Sequence, residues 1–311
     1  MSVGVISHLD NPTVADIVAL AVAAEDAGAE WLGIADAFWW RDTWLLLAEA
    51  ARATSRLAVG PVVTNPYLRH PFHTIAALAT LQEIAGDRVF IGIGAGGSEL
   101  GGAAHVSRRD APARIEALAV LIRSVADDGV LDPSSGRRLD VPLAPVSVMV
   151  AGRGDGVLTS AGRVADRSLL WAIPSSDLDR SVAVVRAGAV GRETGPDFVW
   201  APLVAHDERD RARVRVIAAY GILNASLDLR AHWGVDDDLV ASVRDALVGG
   251  GATAAAHLVP EHVVDDVADP DPSPAHHAAV ASRIGAHHLA VPAYDVASVG
   301  DRVVWARAVL G

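Results

Sequence analysis

The stretch VVTNPYLRHP, residues 62–71, packs Thr64, Asn65, Tyr67, Arg69 and His70 between prolines, directly after the apolar run RLAVGP. A buried strand that ends by presenting so many hydrogen-bonding groups invites a binding role. Other chemistry-bearing residues stand just after apolar runs in the same way. They are His8, Asp36, the glycine-rich Gly94, Ala95, Gly96 and Gly97, and the turn Ala151, Gly152, Arg153 and Gly154. Asp36 is the sharpest of these, because the mouth of a buried strand is a costly place for a carboxylate without a task.

Each motif has a plainer reading beside it. GIGAGG (92–97) matches the G-x-G-x-x-G dinucleotide fingerprint. It follows a fourth strand, however, and does not open straight into a helix as that fingerprint requires. A glycine wall that lets a flat ring approach the backbone is the better reading. For the neighbouring Gly101–Gly102 a plain flexible loop is an alternative. VAGRGDG (150–156) precedes a helical stretch, so its glycines, the helix N–H groups and Arg153 suit an anion; a tight turn without ligand is the alternative. In ADAFWWRD (35–42) the aromatics either wall a pocket or pack beneath the loop while Asp42 caps the next helix. The histidines show no ligand spacing, and no G-x-S-x-G elbow is present, so neither a metal site nor a serine nucleophile is expected.

Composition narrows the chemistry further. The chain has 311 residues and no cysteine or lysine, which excludes thiolate and Schiff-base catalysis. A net charge of −12 without a basic cluster argues against a nucleic-acid partner. The start, MSVGVISHLDN, lacks the basic and apolar regions of a signal peptide, and no apolar run is long enough for a bilayer. A soluble, cytoplasmic chain acting on a small molecule, without a membrane partner, is expected. With 51% hydrophobic residues it can build a large core.

The elements that must position these residues alternate. Apolar strand-like runs fall at 3–8, 31–36, 56–63, 88–94, 146–152, 167–173, 197–206 and 287–293. Helical stretches intervene at 13–28, 42–54, 72–86 and about 111–126, the first with a capping box at Thr13 and Asp16. Residues 127–140 read as a polar, turn-rich stretch. Near-continuous apolar strands between helices mean a parallel sheet covered on both faces. Eight such units predict an α/β (β/α)8 barrel, one domain over 1–311, with a helical insertion at about 207–285 between strands seven and eight. In that fold the site lies at the C-terminal ends of the strands, where all the residues above would converge.

TNPYLRHP, with the upstream AAEDAGAEWLGIADAFWWRD and the downstream FIGIGAGG and VAGRGDGVLTSAGRVAD, resembles the bacterial luciferase-like superfamily. Within it the chain looks most like the coenzyme F420-dependent oxidoreductases related to methylenetetrahydromethanopterin reductase. The resemblance is dense to about residue 170 and thin afterwards. It implies hydride transfer between F420 and a small organic substrate, in a homodimer. Its alternatives are an FMN-dependent monooxygenase and a barrel that binds a deazaflavin without catalysis. It also implies a non-prolyl cis peptide at Val62–Val63, a bulge behind the ring that would account for Pro61 in a strand. Thr64 and Asn65 would then face the ring's polar edge and Asp36 would act near the ring as the catalytic residue. Gly94 to Gly97 would form a wall, Ala151 to Gly154 the phosphate loop, and His8, Trp39 and Trp40 the substrate side. Arg153, Arg69 and Arg41 are the candidate anion donors. The chain departs from the related sugar-phosphate dehydrogenases at Ala37 and Gly97, where those carry histidine and glutamate. It also has Asp155 where proline is common after the phosphate loop.

Overall fold

The structure, a computed structural model, describes residues 1–97 and 107–311. Eight parallel strands form the barrel: β1 (Ser2–Ser7), β2 (Trp31–Ile34), β3 (Ala58–Pro61), β4 (Phe90–Gly94), β5 (Ser147–Ala151), β6 (Arg167–Trp171), β7 (Asp197–Ala201) and β8 (Ala286–Ala293). They run in the order β3-β2-β1-β8-β7-β6-β5-β4. Their central residues are buried, as strands sandwiched between a packed interior and a helical coat must be. The ring closes between β3 and β4 through two single bridges, Val59 with Val89 and Thr64 with Ile93. Between those bridges lies the cis Val62–Val63 peptide, where the resemblance put it. The Gly101–Gly102 stretch lies outside the described residues.

The first helices keep the expected boundaries because their caps are written in sequence. In α1 (Val14–Asp26) the Thr13 hydroxyl accepts from Asp16 N at 3.2 Å, while Asp16 accepts from Thr13 N at 2.8 Å. In α2 (Thr43–Ala53) Asp42 accepts from the backbone N–H of Trp44 and Leu45. In α3 (Pro71–Ala85) His70 accepts from Phe72 N, with Pro71 in the first turn. Then come α4 (Ala111–Asp128), α5 (Asp155–Val164) and α6 (Leu178–Gly188). Residues 130–138 hold a short antiparallel pair, Val130–Asp132 with Arg137–Arg138, within the stretch read as turns.

Strand seven is shorter than its apolar run. Pro202, without an N–H, interrupts the ladder. Leu203–Val204 beyond it pairs instead with Ala268–Asp269 in a separate two-stranded sheet. From there to β8 the chain runs through α7 (Glu208–Asn224), α8 (Leu227–Trp233), α9 (Asp237–Ala256), α10 (Glu261–Val267) and α11 (Pro274–Ile284). The first four of these enclose their own apolar cluster around Val214, Ile222, Val243 and Val264. The C-terminal helix α12 (Val299–Leu310) packs on β8 and α11. No helix among the described residues is long and apolar enough to cross a membrane.

Inside the barrel, Trp31 and Phe90 meet edge to face at 5.5 Å, and glycines make room for them and for the bulge. A Cβ on Gly4 would fall inside the Trp31 ring, and one on Gly92 would stand 2.5 Å from the Pro61 carbonyl oxygen. Gly92→Ala is therefore expected to destabilise the fold by about 1–3 kcal/mol, since backbone rather than a flexible side chain must yield. Gly97→Ala, where a Cβ meets none of the described residues within 4 Å, should stay within about 0.5 kcal/mol of wild type. Urea denaturation of the two variants tests the contrast; equal losses would refute it.

Candidate active site

The bulge ends the third strand and sets Asp36 in place. Asp36 N donates to the Val63 carbonyl at 3.3 Å, and the Thr64 hydroxyl donates to Asp36 Oδ2 at 2.8 Å. Thr43 anchors the same loop through its hydroxyl, 2.6 Å from the Ala35 carbonyl. Burial pushes the Asp36 carboxyl above its usual range. The Thr64 hydroxyl and, at longer range, Arg69 oppose that shift without cancelling it.

Most polar groups of residues 64–70 serve the scaffold; the Tyr67 hydroxyl is buried without a hydrogen-bond partner among the described residues. Thr64 is 1% exposed and Asn65 2% exposed, and neither lines a described cavity. Asn65 Oδ1 instead accepts from Tyr67 N and Leu68 N, an Asx turn that fixes the loop. Arg69 pairs with Asp42, the cap of α2, and His70 caps α3. Asn65 and Arg69 were expected at the ligand, and the structure occupies both within the protein. Arg41 is also committed, donating to the Pro12 carbonyl at 2.8 Å and to Asn11 Oδ1 at 2.9 Å.

Among the hollows at the strand ends, two adjoin around the bulge. The central cavity, about 270 Å³, has the bulge residues Val62 and Val63 on one side with Gly96, Gly97 and Ala151. His8, Asp36, Ala37, Trp39 and Trp40 line it too, with Trp171 at the end of β6. Trp39 and Trp40 are about half exposed, at 45% and 51%, so they form a wall rather than packing beneath their loop. Both readings of ADAFWWRD hold in part, because Asp42 caps α2 as well. His8 stacks on Trp171 at 4.7 Å and lies 5.9 Å from the Tyr294 ring. Burial lowers its imidazole to about 4, so it is neutral at pH 7.

The second hollow, a cleft of about 520 Å³, is cationic. Ala95, Gly152, Arg153 and Gly154 line it, with Arg108 and Arg109 from the segment before α4. Arg108 donates to the Gly96 carbonyl at 2.7 Å, tying the cleft to the glycine wall. Burial pulls the Arg153 guanidinium below its usual range, and among the described residues no carboxylate pairs with it. Beside it α5 begins at Gly154 without a side-chain cap, which leaves its first N–H groups for a ligand. Asp155 at the same end is held by Arg180. Gly94 is buried behind these walls, where a Cβ would stand 2.7 Å from Val63 Cγ2; it shapes the site without lining it.

Thus His8, Asp36, Trp39, Trp40, Val62, Val63, Ala95, Gly96, Gly97 and Ala151 to Gly154 come together, while Thr64, Asn65 and Gly94 stand behind them. The sequence reading missed Arg108, Arg109 and Trp171. The pair SRRD just before a helix was the available signal for the first two; Trp171 was visible only as a strand residue.

Comparison with known proteins adds lineage to this geometry. Residues 1–286 match the model of the luciferase-like monooxygenase family. The chain is 25% identical over 258 residues to 5,10-methylenetetrahydromethanopterin reductase of Archaeoglobus fulgidus, covering 79% of this chain and 78% of that one. It is 34% identical over 172 residues to an F420-dependent glucose-6-phosphate dehydrogenase of Beutenbergia cavernae, across 49% of this chain and 51% of the other. Its fold superposes on the coenzyme F420 dependent tetrahydromethanopterin reductase of Methanopyrus kandleri with a TM-score of 0.81, at 20% identity, over 98% and 97% of the two chains.

Proposed function

The chain belongs to the luciferase-like monooxygenase family, and on that premise we propose that it is an F420-dependent oxidoreductase acting on a small organic substrate. The observation that carries this reading is a single site with two unlike ends. The central cavity and the cationic cleft share Val63, Gly96, Gly97, Ala151 and Trp171. A flat ring suits the first and an anionic arm the second. Arg153, desolvated beside an uncapped helix start, fits a phosphate or carboxylate. The F420-dependent relatives support the choice of cofactor.

When bound, F420 supplies the hydride chemistry, and the protein supplies binding, orientation and electrostatics. Val62 and Val63 would back the ring. Gly96 and Gly97 would let it approach the main chain. Arg108, Arg109 and Arg153 would hold the arm against the protein's overall negative charge. Asp36 would hold or move a proton at the substrate. FMN also carries a phosphate, and the name of the family favours a monooxygenase, so FMN is the second reading.

Titrating the purified protein with F420 and separately with FMN decides between them. An F420 Kd at least tenfold below that of FMN is expected. Arg153→Met should weaken F420 by about ten- to a hundredfold, the range for a charge-assisted contact. It should not lower the melting temperature, since Arg153 joins no ion pair among the described residues. Preferential FMN binding, with oxygen consumed by reduced FMN, would replace the reading with the monooxygenase. F420 binding without turnover over a broad substrate panel would leave a binding protein. Failure to bind either would end all three.

A further inference from the structure

Beyond Trp40, on the side away from the cationic cleft, lies another chamber of about 480 Å³. It sits between the loops after β1 and β2 and the insertion helices α7 and α9. It shares His8, Ala35 and Trp40 with the central cavity, so a molecule reaching from one into the other passes these three residues. Its volume falls within the ~300–1,000 Å³ usual for small-molecule sites.

Its walls are largely hydrocarbon, with Ser7, Asp10, Asn11, Arg41 and Tyr220 among the polar residues that also line it. Leu9, Ile34, Leu46, Val216, Ile217 and Ala252 supply the hydrocarbon. Ile34 and Leu46 belong to the core, whereas Val216 and Ile217 remain half-buried on the α7 face turned to the chamber. Gly251 leaves the helical conformation at φ 78°, ψ −175°, one residue before Ala252 reaches the wall. A positive φ favours glycine there. The cation in the wall, Arg41, already donates to Asn11 and Pro12. Asp10 is exposed, where water can solvate it. His8 is neutral at pH 7. The two sides of the site thus differ in degree: three arginines line the cleft, whereas the chamber has one, Arg41, which is exposed and bonded to Asn11 and Pro12. A charged group seated among Leu9, Ile34, Val216 and Ile217 would lose its hydration without a partner.

We propose that this chamber is the substrate subsite, and that it takes an uncharged molecule with a hydrocarbon body and one small polar group directed to His8 and Asp36. The inference rests on the oxidoreductase reading for the assignment of the cleft to the cofactor. Val216, Ile217 and Ala252 then set specificity by size.

The test uses neutral 2-alkanones and 2-alkanols from three to nine carbons, titrated calorimetrically into the full chain with and without F420. Affinity should rise roughly fourfold per methylene, the ratio equivalent to ~0.8 kcal/mol per buried CH₂, until the chamber is full. A carboxylate of matched length should bind at least about tenfold more weakly. Ile217→Trp, and the milder Ala252→Leu if the first folds poorly, should bring the plateau to shorter chains and leave F420 affinity within about twofold. A flat series, tighter binding of the carboxylate, or an unchanged plateau in a folded variant would overturn the proposal. A chain-length series without F420 binding would sink the cofactor reading alone; F420 binding with a flat series would sink the subsite alone.

Discussion

Asp36→Asn is expected to lower kcat by about 10²- to 10⁴-fold, the usual contribution of a positioned acid or base, with F420 affinity changed by less than about tenfold. The substitution keeps size and an oxygen for the Thr64 hydroxyl, which donates to Asp36 Oδ2 at 2.8 Å. It removes only the charge and the exchangeable proton. Burial holds this carboxyl above its ordinary range, so its titration lies closer to neutral pH than that of an exposed aspartate. The sign depends on the direction of reaction. When a proton leaves the substrate, Asp36 must be ionised, and the rate falls as pH drops through its pKa. When a proton is delivered, it must be protonated, and the rate falls as pH rises. Asparagine should abolish that limb in either direction. Thr64→Val removes a donor that favours the ionised form, so it should move the limb to higher pH while activity persists. A pH profile of Asp36→Asn that keeps the limb, or a kcat within threefold of wild type, would remove Asp36 from the chemistry.

The framework around Asp36 was legible in sequence to different depths, for physical reasons. Parallel strands buried on both faces leave continuous apolar runs, so each expected strand overlaps an observed one. Thr13 and Asp42 announce their roles because caps demand particular residue types, whereas the close approach of Gly92 to the Pro61 carbonyl appears only in the fold. The cis Val62–Val63 bond leaves no local signature in two valines, and only the resemblance located it. The loop TNPYLRHP shows the limit. Threonine, asparagine, arginine and histidine have the same hydrogen-bonding capacity toward a ligand as toward their own loop. Composition cannot tell an Asx turn at Asn65 from a contact to a ring. The cationic cleft was half legible. Arg153 stands in a glycine turn that suggests an anion, whereas Arg108 and Arg109 reach the same cleft from a segment well beyond the end of β4.

The distribution of charge follows from where these pieces come from. The barrel supplies the cleft through the ends of β4 and β5 and the start of α5. The chamber takes its outer wall from α7 and α9 of the insertion. The cleft is thus mostly barrel, with Asn224 at the end of α7 reaching it, while barrel loops and insertion helices wall the chamber together. If the chamber takes the substrate, substitutions at Val216, Ile217 and Ala252, which line the chamber and not the cleft, should retune it with little effect on the cofactor. The chamber needs the insertion to stay docked, and a buried ion pair joins the insertion to the C-terminal helix.

Asp210 on α7 and Arg302 on α12 form that pair. They are 1% and 7% exposed, with Arg302 Nη2 2.7 Å from both carboxylate oxygens. Arg213 approaches the same carboxylate at 3.4 Å. The two guanidinium groups also lie over the Tyr294 ring, at 4.7 Å for Arg213 and 5.0 Å for Arg302, and the Tyr294 ring centre is 5.9 Å from that of His8. Asp210→Ala should therefore cost about 3–5 kcal/mol, because Arg302 would stay buried without its anion. The double substitution Asp210→Leu with Arg302→Met should recover most of that loss, since both charges leave the interior together. Denaturant titration reads the stabilities, and the chain-length series of the neutral ketones reads the docking. If the pair holds α7 against the barrel, the single variant loses the dependence on chain length and the double variant regains it. A single variant as stable as wild type would mean that water reaches Arg302 once Asp210 is gone. The insertion would then be held by the apolar contacts around Val214 and Ile222 instead.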